Sequence, residues 1–486
     1  MTTTSPPPPE NSSLLDTDPH TTEPPPSPDR RTLRPMLIRL HFYAGLFIAP
    51  FILVAAVSGF LYAATPMIEQ VVYDDELTTD SRGPAIPLGE QIQAAREVEP
   101  DLRLYGVRPA NEPGQTTRVL FEPEANRWGA KEAIFVDPVT GEVQGRLTAY
   151  GTSGALPIRT WFDQLHRSLL LGEPGRIYSE LAASWLWVIG LGGVVLWWTS
   201  RRRELGGAAI WARLRPRRSG SRRQRALSWH GAVGTWLVLG MLVLSATGLT
   251  WSRFAGANVT ELRGALNWST PAVSADLDSA ASSTPADDRH TGHTGHPDGA
   301  GADGASADSP GVGFERVWDA AREDAGLTAY SEILPPADEG TSYVVSEIDR
   351  SWPTQVDAAA IDPTTGEVTD VVRFDDYPFM AKMARWGIDL HMGSLFGLAN
   401  QLGLMLLAVG LVAMIVMGYR MWWLRRPTRG GLPSTPARGA WRQAPPLQLV
   451  VLLAVAIAVG WFIPLLGISL LGFILVDLAF GRLRRG

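Results

Sequence analysis

Four histidines, His41, His166, His230 and His391, lie at or beside the ends of long apolar segments in a chain of 486 residues. An ionisable ring is costly at a membrane helix unless it faces a bundle interior and has a partner there, so such rings mark functional sites. The four fall into two matched pairs. His41 and His230 open segments that align at a constant offset, Gly45 with Gly234, Gly59 with Gly248 and Tyr62 with Trp251. His166 and His391 each follow a tryptophan, Trp161 or Trp386, by five residues and precede a glycine, Gly172 or Gly397, by six. Two imidazoles from two helices can ligate one haem iron axially, which fills both open positions and favours electron transfer over oxygen chemistry.

The elements that must position these rings are membrane helices. Apolar runs from Leu40 to Ala64, Ile177 to Trp198, Leu227 to Trp251 and Leu398 to Trp423 each approach the ~20 residues that cross a bilayer core. A fifth block, Leu447 to Phe480, is long enough for two short crossings that turn near Pro464. Arginine sets the orientation: Arg30, Arg31, Arg34 and Arg39 precede the first span, a cluster from Arg201 to Arg225 follows the second, and further groups surround Arg425 and Arg484. By the positive-inside rule these sides and both termini are cytoplasmic in a multi-pass protein of the cell membrane. His41 and His230 then belong to the inner face, and His166 and His391 to the outer.

The formal charge of -6 hides a partition, because acidic residues concentrate in the two long outward segments. Arginine clusters beside spans set topology and touch membrane lipid, so nucleic acid is excluded as a partner. The chain has no cysteine, which removes disulfides, thiolate metal sites and covalent haem attachment through Cys-x-x-Cys-His. Any haem must therefore be held non-covalently, and one is expected at the inner and one at the outer pair. No carboxylate pair, nucleophile triad, phosphate loop or nicotinamide fingerprint appears, so electrons must come from a separate cytoplasmic or quinol donor.

The expected order is a disordered tail (1–33), a first span (34–65), an outer domain (66–160), a histidine connector with the second span (161–200) and a basic loop (201–226). A third span (227–252), a linker with a low-complexity insert (253–310), a second outer domain (311–385), a second connector and span (386–426), a linker (427–446) and a helical hairpin (447–481) follow. In the outer domains the period-3.6 segments Ile86 to Val98 and Val312 to Ala325 predict helices. Leu104 to Arg108, Arg118 to Glu122, Ala133 to Val136, Tyr343 to Ile348 and Gln355 to Ile361 predict strands. Each domain then carries an Asp-Pro-x-Thr-Gly-Glu turn, at Asp137 and at Asp362. The fold class is an α-helical membrane protein with duplicated span, outer domain and span halves, and two small α+β domains. The tract His290, His293 and His296 lies in the insert and reads as solvated low-complexity sequence.

Gly45 and Gly234, four residues after their histidines, leave the turn above each inner imidazole bare for a porphyrin edge. At ~1.5 Å per residue, straight helices running back from Arg201 and Arg425 would lift His166 and His391 above the outer hydrocarbon edge. The segment Gly172-Glu173-Pro174-Gly175 permits a bend in the first half, and the second half has no proline there. An outer haem is thus expected at headgroup level, far from the inner one.

The connector from Trp161 to Arg176, the two Asp-Pro-x-Thr-Gly-Glu turns and the first-span histidine together resemble the PepSY-associated transmembrane family, over about Arg34 to Arg426. The resemblance implies b-type haem between transmembrane histidines, here His41, His166, His230 and His391, with PepSY domains outside the membrane. It also implies a relation to iron-regulated membrane proteins and ferric-siderophore reductases. The second connector departs with Met392 and Gly393 in place of Arg167 and Ser168, so contacts to substrate from Arg167 are expected in one half only. These readings converge on a membrane reductase that passes electrons from the cytoplasmic side to a ferric siderophore or other ferric chelate. Reduction to Fe(II) weakens hard-oxygen chelation and frees the metal. The alternative is a non-enzymatic sensor, protease regulator or transport accessory with structural histidines. A metal permease would need polar residues deep in the spans, which are few.

Overall fold

The computed structural model describes residues 32–123, 129–205, 210–277, 311–425, 436 and 444–483. The expected tail falls almost wholly outside the described residues, and the tract at His290, His293 and His296 lies entirely outside them.

The first span is two helices, α1 (Arg34–Phe47) and α2 (Ala49–Val72). Pro50 sits in the first turn of α2, where its missing N–H would have had no intrahelical acceptor. The apolar run ends near Ala64, yet α2 continues to Val72, because the Glu69 carboxylate accepts a 2.8 Å hydrogen bond from the Leu156 amide at the start of the connector. A short α3 (Asp74–Leu77) leads into α4 (Leu88–Val98) and strands β1 (Arg103–Arg108), β2 (Thr117–Glu122), β3 (Ala130–Val136) and β4 (Val143–Tyr150). The connector helix α5 (Pro157–Ser168) precedes α6 (Glu173–Leu205), α7 (Ile210–Leu214), α8 (Arg222–Thr250) and α9 (Phe254–Ala265). Ser221 and Gln224 form a reciprocal capping box at the start of α8, satisfying two backbone donors. After α10 (Gly313–Asp319) come β5 (Ser331–Leu334), β6 (Tyr343–Glu347), β7 (Ala358–Ile361) and β8 (Val368–Val372). The second connector helix α11 (Phe379–Met392), α12 (Gly397–Trp423) and a hairpin of α13 (Pro446–Phe462) and α14 (Pro464–Leu483) complete the order.

Among the described residues four helices are long and apolar enough to cross a membrane: Ala49–Val72, Glu173–Arg201, Arg222–Thr250 and Gly397–Trp423. They close a ring in which α2 touches α6, α6 touches α8, α8 touches α12 and α12 touches α2. Ile52, Ala56, Leu186, Met241 and Leu411 belong to one buried apolar cluster that joins these helices. The hairpin packs outside the ring on α6, where the Trp185 indole donates to Ser469 Oγ at 2.8 Å.

The chain bends after both connector helices, as the Gly172 to Gly175 segment permits in the first half and against the straight-helix expectation in the second. Leu169, Leu170 and Gly172 adopt positive φ of 52°, 58° and 66° after α5, and Gly393 ends α11 at φ 82°. A left-handed residue after the last turn stops a helix and turns the chain without proline, so α11 folds back as α5 does.

Among the described residues the strands form one antiparallel sheet of eight, ordered β4-β3-β2-β1-β5-β6-β7-β8, so the strands expected in the two outer domains join edge to edge. Val107 pairs with Ile333 at the seam, and a single core beneath it takes Ile92 and Ala95 from α4, Val317 and Ala320 around α10, and Val119, Ile134, Val345 and Ile361 from the strands. Joining β1 to β5 covers an edge of each half-sheet that would otherwise present unpaired backbone groups. Arg108 Nε donates to Glu332 Oε1 at 2.8 Å across the seam, with side chains 3% and 11% exposed. The two Asp-Pro turns are alike: Asp137 Oδ1 accepts from the Val139 and Thr140 amides, and Asp362 Oδ1 from those of Thr364 and Thr365.

Candidate functional site

All four sequence-predicted histidines come together in pairs. The rings of His41 on α1 and His230 on α8 lie 6.3 Å apart, centre to centre, at an interplanar angle of 78°. Those of His166 on α5 and His391 on α11 also lie 6.3 Å apart, inclined by 54°. One metal held by both rings of a pair needs about 2.0–2.1 Å to each nitrogen and about 1.1 Å more to each ring centre, about 6 Å in all. Both spacings meet that requirement. Among the described residues no group of three or more His, Cys, Asp or Glu forms a metal cage. A metal taken by these pairs would therefore bring its remaining ligands with it, as porphyrin iron does.

The His41–His230 pair faces a cavity of about 440 Å³ whose lining is mostly apolar and includes Gly45 and Gly234. Each ring also packs on a glycine of the next span. A Cβ on Gly193 would meet His41 Cε1 at 3.0 Å, and one on Gly418 would meet His230 Cε1 at 3.8 Å. The carbonyls of Ile189 and Met414 lie beside the two rings, but among the described residues neither Nδ1 has a hydrogen-bond partner of normal geometry.

The other pair is fixed more tightly. His166 Nδ1 lies 3.0 Å from Ser58 Oγ, and His391 Nδ1 lies 2.6 Å from Thr247 Oγ1. Each hydroxyl also bonds a carbonyl one turn back on its own helix, Val54 O at 2.8 Å and Val243 O at 2.6 Å. A hydroxyl has one proton to donate. With it given to the carbonyl, the oxygen accepts from Nδ1–H, which assigns that tautomer and leaves the Nε2 lone pair free for a metal. Gly59 and Gly248 make room for these rings, since a Cβ there would lie 3.1 Å from His166 Cε1 and 3.7 Å from His391 Cε1.

The interval between pairs can be counted along helices that touch both. It is ten residues on α6, from Ala183 beside Gly248 to Gly193 beside His41, and eighteen on α8, from His230 to Gly248. At ~1.5 Å per residue this is about 15–27 Å. Because the connectors fold back, the second pair lies beside the spans rather than above them.

Residues 38–425 match the model of the PepSY-associated TM region. The chain belongs to that family. A comparison with curated proteins finds no match.

In this PepSY-associated TM protein, the surroundings of the His166–His391 pair include groups that sequence reasoning missed. Ser58 and Thr247 are related by the same offset that aligns Gly59 with Gly248, and Gly193 and Gly418 by the one that aligns His166 with His391. Those offsets were the available signal. Trp251 stacks edge-on to His391 at 5.4 Å, and the Arg159 guanidinium lies 5.6 Å from the Tyr62 ring. Where the second connector has Met392 in place of Arg167, Arg350 of the sheet domain reaches in, 3.7 Å from Met392 Sδ and 2.6 Å from Thr152 Oγ1. A guanidinium therefore stands at both connectors. Burial lowers Arg350 to about 10, with nearby Arg385 adding to the shift and Asp389 opposing it.

Proposed function

We propose that this protein is a haem b oxidoreductase of the cell membrane that reduces a ferric chelate, such as a ferric siderophore, on the side of its sheet domain. The observation that carries the reading is the pair of 6.3 Å histidine couples, joined from different helices and set one beyond the other along one bundle. The arginine-rich ends of α1, α8 and α12 are cytoplasmic on this reading, as are both termini, and the hairpin of α13 and α14 adds two crossings. The halves are duplicated units of span, outer domain and span, and the two half-sheets are PepSY-like domains.

Bound haem supplies a one-electron couple at each pair. The protein's own residues do the rest. His41 and His230 would hold one group and His166 and His391 the other. Ser58 and Thr247 keep two of the rings in the ligating tautomer, and the apolar ring core excludes water between the sites. Arg159 pairs with Glu69 and Arg385 with Asp389, so Arg350 is the cation that would draw an anionic chelate to the exit. Each Fe(III) chelate takes one electron and becomes Fe(II). A quinol donor would give two electrons, release two protons and serve two chelates, whereas a reduced flavoprotein would deliver electrons singly.

The test is anaerobic mixing of chemically reduced, purified protein with a ferric siderophore and a ferrous-specific chelator. The reading requires reoxidation of the protein with one Fe(II) formed per electron lost. Reduced protein that stays reduced in the presence of every ferric chelate tried refutes it.

A further inference from the structure

The cavity beside His41 and His230 carries a charge pattern that two imidazoles do not explain. Among the described residues four arginines line it, Arg34, Arg217, Arg223 and Arg425, and no Asp or Glu does. They gather at one end, from the first residue of α1, the loop before α8, the first turn of α8 and the second residue after α12. The first turn of α8 contains no acid, so its arginines oppose the positive end of their own helix. At this same end the Arg34 Nε, Trp422 Nε1 and Arg425 Nε atoms are buried without a hydrogen-bond partner among the described residues. All three are donors and none can accept. The Arg425 guanidinium is held 5.9 Å from the Phe42 ring, next in sequence to His41.

A ligand complementary to this cavity is flat and apolar through its body, meets an imidazole from either side, and ends in anionic acceptors. We infer that the arginine end receives the two carboxylates of a dicarboxylic porphyrin, with Arg34, Arg425 and Trp422 donating to them. This rests on the haem reading above and adds to it the direction in which the group enters. It also places two negative charges at the cavity mouth that faces the electron donor. A neutral quinol would leave the buried donors of Arg34 and Arg425 without an anion. An anionic phospholipid would satisfy the arginines but make no use of the facing imidazoles.

The experiment uses the full chain carrying His166→Ala and His391→Ala, so that one ligated site remains, after size-exclusion chromatography confirms folding. Ferric protoporphyrin IX and its dimethyl ester are titrated in parallel and binding is read from the Soret band. The diacid is expected to bind at least about tenfold tighter than the diester, as charged hydrogen bonds to two carboxylates require. Adding R34Q and R425Q removes the preference, while R34K and R425K retain most of it. Equal affinity for diacid and diester overturns the inference, as does a preference untouched by R34Q and R425Q. Displacement of the diacid by phosphatidylglycerol but not phosphatidylcholine assigns the end to a lipid and also overturns it. Metal-free protoporphyrin IX, read by fluorescence, separates this inference from the haem reading. If it binds with the same diacid preference while the ferric form shows no low-spin spectrum, the carboxylate site stands and histidine ligation fails.

Discussion

Replacing Thr247 by valine removes one hydroxyl and nearly preserves the side-chain volume. The hydroxyl lies 2.6 Å from His391 Nδ1 and 2.6 Å from Val243 O, so Thr247→Val leaves the Nδ1–H without its acceptor while Gly248 still gives the ring its room. An unmade hydrogen bond at a buried group costs about 1–3 kcal/mol. Loss of a partner behind a ligating histidine costs about 10–100-fold in affinity, or about 1.4–2.7 kcal/mol, so two independent estimates agree. The predicted result is a 10–100-fold weaker hold on the haem of the His166–His391 pair, measured as the equilibrium constant for haem transfer to an excess of acceptor protein. The midpoint potential of that component rises, because an imidazole without its hydrogen bond is a weaker base and stabilises Fe(III) less. The other component stays unchanged, since His41 and His230 make no contact with Thr247. Thr247→Ser restores the acceptor and with it the affinity. A valine variant that holds both haems at wild-type strength refutes the account of the hydroxyl as the ring's anchor.

His41→Ala and His230→Ala should each remove the same optical component, and His166→Ala and His391→Ala the other; loss of a single shared component by all four variants contradicts two sites. Arg108→Ala strands the Glu332 carboxylate, 11% exposed at the sheet seam, and should destabilise the sheet domain by about 3–5 kcal/mol in denaturant unfolding, with Arg108→Met plus Glu332→Leu recovering most of it. A single variant within about 0.5 kcal/mol of wild type would show that the seam does not depend on the pair. Burial raises the Asp137 carboxyl, but hydrogen bonds from Ser81, Thr79 and the Val139 and Thr140 amides outweigh it and hold it at about 2. A depressed carboxylate contributes stability above its unfolded value near 3.9 that is lost as pH falls toward the folded value. The difference in Tm between wild type and Asp137→Asn should therefore be full above about pH 4 and shrink toward pH 2, and a difference that does not vary with pH contradicts this.

The four histidines were legible because an imidazole stands out in an apolar run, and their pairing because the chain repeats its spacing around them. Ser58 and Thr247 were not, since a hydroxyl in an apolar helix ordinarily bonds its own carbonyl one turn back, and nothing local says that it also holds a ring. The bend after α11 was hidden for a similar reason: a proline was sought, and Gly393 turns the chain instead. Strands β1, β2 and β3 were foreseen from their β-branched and aromatic runs. The edge strands β4 and β8 were missed because little of either is buried, so they lack apolar alternation. The seam was beyond reach, since β5 is four residues long and pairs with a strand more than two hundred positions away. That partner is chosen by the shared core and by Arg108 meeting Glu332, neither of which has a local pattern.

The central claim, that both histidine pairs ligate haem, is tested most directly by the reduced-minus-oxidised absorption spectrum of the purified full chain, produced with ample haem, together with its haem content per chain. The account predicts two non-covalent b haems per chain, both low-spin and both reducible. A protein that folds with His41, His166, His230 and His391 intact and yet shows no reducible Soret and α bands contradicts it.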